Sequence, residues 1–224
     1  MKEPVYSDVF DFENLYQAAK EVLADKRYFP RELAYNMNLE ENLIELQNQL
    51  VWFTYYPDEY REFIITDPKT RLISAQCLKD RIVQSALCRV VEPWIDRQFD
   101  FDSYACREGK GNLAAANRVS YYIDKPQNTF FFVFDIHHFF DSVVVEKLEE
   151  IIEKRYIKDN GILWLFSTFL HYDCASGMGI KKGNRTSQLS GNIYLNELDF
   201  FMRHTLKIKQ FVRLMDDCID RKST

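Results

Sequence analysis

Thr129-Phe-Phe-Phe-Val-Phe-Asp-Ile136 is apolar at nearly every position until it closes on a carboxylate. Unbroken apolar character over so short a run predicts a strand buried on both faces, with Asp135 at its end. A second strand is expected over 208–215, breaking at Asp216-Asp217. A single Asp at a strand end commonly just caps a turn. Two such strands lying side by side, however, bring Asp135 near Asp216, and like charges so placed are unfavourable unless something neutralises them. Hard carboxylate oxygens suit Mg²⁺, which keeps several waters and binds substrate phosphates. A pair of such ions about 3.5–4 Å apart clamps the attacking and leaving oxygens of a phosphoryl transfer.

Outward from this strand, helical spacing predicts helices over 13–24 and 38–53, the second burying Leu39, Leu43, Leu46 and Leu50. Arg61 to Ile73 reads as strand, Asp-Pro turn, strand. Helices are expected over 78–92, 112–123, 143–154, 161–171 and 187–204, with a Gly- and Lys/Arg-rich loop over 179–186. The fold class is α/β (α+β): a mixed body with a helical, hairpin-bearing lobe in front.

With 224 residues, 46% hydrophobic and 15% aromatic, the chain can fill one sizeable core or two small lobes, which excludes a disordered chain. No apolar run reaches membrane-spanning length and the acidic start lacks a secretory pattern, so a soluble, cytoplasmic protein without membrane contact is expected. The five cysteines (Cys77, Cys88, Cys106, Cys174, Cys218) have no zinc spacing and read as buried free thiols. Net charge is −5, but residues 1–60 carry five basic and twelve acidic side chains, a net of −7, leaving +2 for the remainder. The acidic excess belongs to the leading segment, so the rest can hold a local phosphate-binding surface.

Six stretches carry a resemblance to prokaryotic reverse transcriptases. Phe134-Asp-Ile-His-His-Phe-Phe-Asp-Ser142 resembles the family's first palm motif. Gly183-Asn-Arg-Thr-Ser-Gln188, continuing to Asp199, resembles the second, and Phe211-Val-Arg-Leu-Met-Asp-Asp217 resembles the Y-x-D-D box. Asp67-Pro-Lys-Thr-Arg71, Lys79-Asp-Arg-Ile-Val83 and the stretch Asp102 to Gly111 resemble the fingers motifs. They occur in family order from about residue 60 onward, and order across six motifs is far more specific than any one of them.

The resemblance implies the fingers and palm of a right-hand polymerase, with the thumb absent: an acidic helical segment over 1–60, fingers over 61–124 and palm over 125–224. It implies an RNA-directed DNA polymerase that adds dNTPs to a DNA or RNA primer on an RNA template, with two Mg²⁺ ions and room for an accessory protein. Asp135 and Asp216 would hold the metals, helped by the Ile136 carbonyl and supported by Asp217. Phe140 would sit under the sugar and block a 2′-hydroxyl; by itself it reads as core packing. Lys69 and Arg71 would hold the triphosphate, a task that suits a point cation and a bidentate one together. Gly183, Ser187 and Gln188 would lie over the template base and nascent pair, with Gln188 on the nucleotide. Arg81 and Arg107 are either ion-pair partners within the fingers or template contacts. His137 and His138 read as scaffold.

Within the family, G-x-x-x-S-Q resembles the diversity-generating retroelement type, although Lys182 precedes that Gly where an aliphatic residue is usual; group II intron and retron enzymes are the relatives. Leu214 replaces the Y-x-D-D tyrosine at the primer–nucleotide region. Only seven residues follow Asp217, so the returning strand is expected to be barely begun and the chain truncated. Two other readings use the same shape: a degenerate, non-catalytic nucleic-acid-binding subunit, and a template-free nucleotidyl transferase.

Overall fold

A computed structural model describes residues 2–24, 30–67, 71–124, 130–174 and 176–222. Four helices lead: α1 (Tyr6–Val9), α2 (Phe12–Leu23), α3 (Pro30–Met37) and α4 (Leu39–Val51). Asp11 caps α2 by accepting from the N–H groups of Glu13 and Asn14, as expected of an Asp before an apolar periodic run. The hairpin β1 (Arg61–Ile65) and β2 (Arg71–Ala75) is antiparallel, and α5 (Leu78–Ile95) follows it. Helix α5 runs three residues past the expected bound of 92 and contains Pro93 in its last turn, where few hydrogen bonds remain to be lost.

Helix α5 is the axis of the main core. Ile82, Val83, Ala86, Leu87, Val91 and Ile95 are all fully buried. Ala18 and Ala19 of α2, also fully buried, allow that helix close approach. Leu43, Leu46 and Leu50 of α4 are buried as their spacing predicts, and Leu39 packs at the edge. The core is completed by α7 (Phe139–Ser142), α8 (Val145–Ile151), α9 (Asn160–Asp173) and α10 (Arg185–Phe200). Both α8 and α10 end in a π-helical turn, over Ile152–Tyr156 and Phe201–Thr205.

Asp159 joins the leading segment to α9. One oxygen caps the helix by accepting from Gly161 (2.9 Å) and Ile162 (3.1 Å), and the other accepts from the Tyr6 N–H (3.1 Å). Tyr6 then lies so close that a Cβ on Gly161 would stand 2.6 Å from Tyr6 Cβ. Helix propensity favours Ala over Gly by about 1 kcal/mol, but overpacking of this kind costs about 1–3 kcal/mol. Gly161→Ala is therefore expected to lower the denaturant midpoint, with an unchanged m-value.

Helix α6 (Asn112–Ile123) matches its expected bounds, and β3 (Phe130–Asp135), β4 (Phe211–Leu214) and β5 (Asp217–Lys222) form an antiparallel sheet in the order β3-β5-β4. Two expectations are corrected here. The returning strand β5 is not vestigial: it is the central strand, and it separates β3 from β4. Nor is β3 buried on both faces, since Phe130, Phe132 and Val133 are 67%, 62% and 68% exposed. The covering groups sit over β4, with Val212 packed against Ala115 and Tyr122 of α6 on one side and Phe211 against Met202 on the other. The edge strand β3 lies beyond that cover.

Of the cysteines, Cys88, Cys174 and Cys218 are buried, Cys77 is half-buried, and Cys106 is exposed, against the expectation of a buried thiol. No helix among the described residues is long and apolar enough to cross a membrane.

Candidate active site

The β4–β5 hairpin turns on two residues, Met215 and Asp216, with Met215 in the left-handed region at φ 58°. Such a conformation is unfavourable for a side chain of this size, so it has to be held by its surroundings. Gly191 of α10 supplies the space: a Cβ there would stand 3.1 Å from the Met215 sulfur and 3.3 Å from the Phe139 ring. Arg213 supplies the restraint, donating to the Met215 carbonyl (3.2 Å) from a fully buried position.

This turn meets the end of β3. Asp135 is the register partner of Asp217, and the Ile136 N–H donates to the Asp216 carbonyl (3.3 Å). Asp135, Asp216 and Asp217 thus converge at one end of the sheet, through β5 rather than through direct pairing of β3 with β4. Burial, then the charges of Asp216 and Asp135, hold the Asp217 carboxyl above the usual carboxylate range. Among the described residues no Lys or Arg forms an ion pair with any of the three. Uncompensated hard oxygens at a strand end fit a divalent cation of the Mg²⁺ type.

The tightest potential ligand group lies elsewhere. Among the described residues, Asp58, Cys77 and Asp80 are the one trio whose donor atoms all fall within 4.8 Å of one another. Its internal bonds already account for it: Asp80 accepts from the Tyr55 hydroxyl (2.6 Å) and the Asp58 N–H (2.9 Å), while Lys79 binds Asp58 (2.8 Å). Burial pushes the Cys77 thiol up to about 12 and raises the Asp80 carboxyl. A thiol kept protonated is a poor metal ligand.

Phe140 is half-buried on α7, against Phe139 at a ring separation of 5.2 Å, and its carbonyl accepts from Ile180 (2.8 Å). His137 and His138 are exposed beside it. Gly183 adopts φ 101° in the loop before α10, Ser187 is buried, and Gln188 lines a cleft of about 520 Å³ shared with Gly183 and Arg107. The Arg107 guanidinium is held by Asp96 (2.5 and 3.2 Å) and by the carbonyls of Asp100 and Ser103, which matches the ion-pair alternative. Arg81 donates to the Val22 carbonyl (3.4 Å) and lines a second cleft. Leu214 is half-buried on the α6 side of the sheet. Lys69 and the Arg71 side chain lie outside the described residues.

Three residues without an assigned role in the sequence reading hold this region together. Gly191 and Arg213 are the first two. Arg185, in the G-x-x-x-S-Q motif at the start of α10, grips Glu92 with two bonds (3.1 and 2.7 Å) and reaches Ser85 (3.0 Å), tying α10 to α5. The one signal for Arg213 was a lone charge inside an apolar strand.

The sequence pattern of the family described as reverse transcriptase (RNA-dependent DNA polymerase) matches residues 66–219, more than half of the chain. Two solved structures are similar in fold. A partial Cas6-RT-Cas1–Cas2 complex matches at a TM-score of 0.60 and 21% identity, covering 100% of this chain and 39% of that one. A Cas6-RT-Cas1–Cas2 complex matches at the same score and identity, with 24% of its chain covered. This chain therefore spans well under half the length of either. No curated protein sequence matches.

Proposed function

The chain belongs to the reverse transcriptase (RNA-dependent DNA polymerase) family, a family of nucleotidyltransferases, and from that premise we propose the following chemistry for its own residues. Asp135 and Asp216, with the Ile136 carbonyl, hold two Mg²⁺ ions, and Asp217 supports them. The observation that carries this reading is the pairing of Asp135 with Asp217 while the Ile136 N–H binds the Asp216 carbonyl, which gathers at one sheet end three carboxylates that have no Lys or Arg partner among the described residues. Bound there, the ions lower the pKa of a primer 3′-hydroxyl and neutralise charge on the phosphates.

The protein's part is positioning. A primer 3′-oxygen attacks the α-phosphorus of a dNTP in line, its proton departs, and the bond to the pyrophosphate oxygen breaks. Lys69 and Arg71 hold the triphosphate. Gly183, Ser187 and Gln188 border the nascent pair, and the segments 1–60, 61–124 and 125–224 act as leading segment, fingers and palm. The G-x-x-x-S-Q motif supports the diversity-generating retroelement type. Leu214 in place of Tyr supports the runner-up, a non-catalytic nucleic-acid-binding relative.

Primer extension on RNA template, on DNA template and without template separates the readings. RNA-templated dNTP incorporation supports the polymerase, template-independent extension the terminal-transferase reading, and binding without extension the degenerate one. Phe140 gives a sharper test of sugar selection. Opening space under the sugar by Phe140→Ala is expected to raise NTP over dNTP use by roughly 10–100-fold, the scale of a small steric discrimination. An unchanged ratio in single-nucleotide incorporation would return Phe140 to core packing.

A further inference from the structure

One face of α9 carries two pairs of rings. Toward its start Phe53 meets Trp164 at a centroid separation of 4.9 Å, and toward its end Tyr56 meets Tyr172 at 5.4 Å, both edge to face. Trp164 and Tyr172 stand eight residues apart on the helix, a rise of about 12 Å. A groove of about 520 Å³ joins the two pairs, walled by α9 on one side and by residues 53–56 on the other. Phe53 is 52% exposed and Tyr56 67%, and clustered rings left open to water mark a surface that another chain can cover.

Charge selects the occupant. No Lys or Arg lines the groove, and its His171 ring is engaged by Glu149 (3.1 Å). Burial, then the charges of Asp80, Glu59, Tyr56 and Asp58, raises the Tyr172 hydroxyl, so carboxylates crowd that end. Lys79 stands behind the wall, bound to Asp58 (2.8 Å) and 5.6 Å from the centre of the Tyr55 ring. Lys181 lies 5.5 Å from the ring of Tyr60, which stacks on Tyr172 (5.9 Å). This group of rings thus already holds ammonium groups within the fold. Residues 1–60, which supply one wall, carry a net charge of −7. A nucleic acid is repelled by that field, whereas a cationic chain is drawn to it. We propose that the groove docks an extended, arginine- or lysine-bearing segment of a partner protein. Its cationic head lies against the faces of Tyr56 and Tyr172, and an apolar side chain about four residues away meets Phe53 and Trp164. An extended chain advances about 3.1–3.4 Å per residue, so four residues span the two ring pairs. None of these residues belongs to the proposed polymerase site, and the inference stands without it.

The test is fluorescence anisotropy on the full chain with two labelled peptides, three repeats of Arg-Pro-Pro and three of Glu-Pro-Pro, and a single-stranded RNA of similar length. Proline keeps both peptides extended and supplies the apolar contact. The arginine peptide is expected to bind roughly tenfold or more tightly than the glutamate one, with affinity falling as salt rises. Tyr56→Ala is expected to weaken that binding roughly tenfold, the scale of a largely desolvated cation–π contact, while Tyr56→Phe keeps the ring and should bind like wild type. Neither change should lower the melting temperature, because the Tyr56 side chain is mostly in solvent. Glu59→Gln, at an exposed position, is expected to weaken binding roughly threefold and covers the case in which Tyr56→Ala fails to fold. Arginine-peptide binding indifferent to both Tyr56 and Glu59 would be diffuse attraction to an acidic segment and would overturn the inference. So would no binding of that peptide at all, or RNA binding that Tyr56→Ala weakens in its place, which would give the groove to nucleic acid.

Discussion

Asp216→Asn is expected to reduce dNTP incorporation by roughly a thousandfold or more while leaving the protein folded. If Asp216 holds a metal as proposed, its loss removes several kcal/mol of charge stabilisation in the transition state, and each 1.36 kcal/mol is a factor of ten. The fold should not suffer, because the three carboxylates are in net repulsion: the Asp216 and Asp135 charges help to hold the Asp217 carboxyl above its usual range. Removing one charge relieves that strain, so the variant should melt at the same temperature as wild type or slightly above it. The Ile136 hydrogen bond survives, since it uses the Asp216 backbone carbonyl. Single-turnover incorporation with Mg²⁺ and a melting curve on the same preparation check both halves. Full activity in the Asn variant would remove Asp216 from the chemistry.

Arg213→Met is expected to destabilise the fold by about 3–5 kcal/mol, the range for breaking a buried ion pair from one side. Arg213 is fully buried and donates twice to Asp199 (2.7 and 2.6 Å), to Ser103 Oγ (2.9 Å) and to Asn192 Oδ1 (3.2 Å). Without it, Asp199 is a carboxylate stranded at 1% exposure. Burial already raises the Asp199 carboxyl against the pull of Arg213, and loss of the guanidinium pushes it further in the same direction. A carboxyl whose folded pKa lies above its unfolded value favours the fold below the unfolded pKa. That contribution is lost as pH rises through the folded pKa. The variant should therefore weaken progressively above about pH 4, the unfolded Asp value. The double variant Arg213→Met, Asp199→Leu should recover most of the loss, because two apolar side chains replace an orphaned charge. Urea midpoints across pH for the two variants test this. Equal destabilisation of both at all pH values would show that packing, not charge, is what Arg213 contributes. On the proposed reading, activity should fall in the single variant as well, since the same guanidinium restrains the Met215 carbonyl in the turn that carries Asp216.

Much of the fold was legible in the residues. The leucines of α4, the bounds of α6 and the strands β1 and β2 follow from local patterns that act between near neighbours, while the Asp-Pro turn between those strands lies partly outside the described residues. The candidate site was legible as order: carboxylates at strand ends and motif-like stretches in sequence. The failures share a cause. Phe130 to Val133 read as a core strand because apolar character says what a strand can bury, while the sheet order says what covers it. β5 was underrated because only seven residues follow Asp217, and so short a run gives little sign that two strands will flank it. Arg213 stood out in an apolar run, yet its partners Ser103 and Asp199 lie 110 and 14 positions away.

The sequence alone determined which side chains are chemically able to serve at this site, since carboxylates, cations and glycines are properties of residues and their local spacing. Tertiary structure decided that β5 brings Asp135 to the turn carrying Asp216, and that Gly191 makes room for that strained turn. Those outcomes depend on which surfaces end up in contact across the chain, and contact between distant segments is set by the packing of the whole molecule.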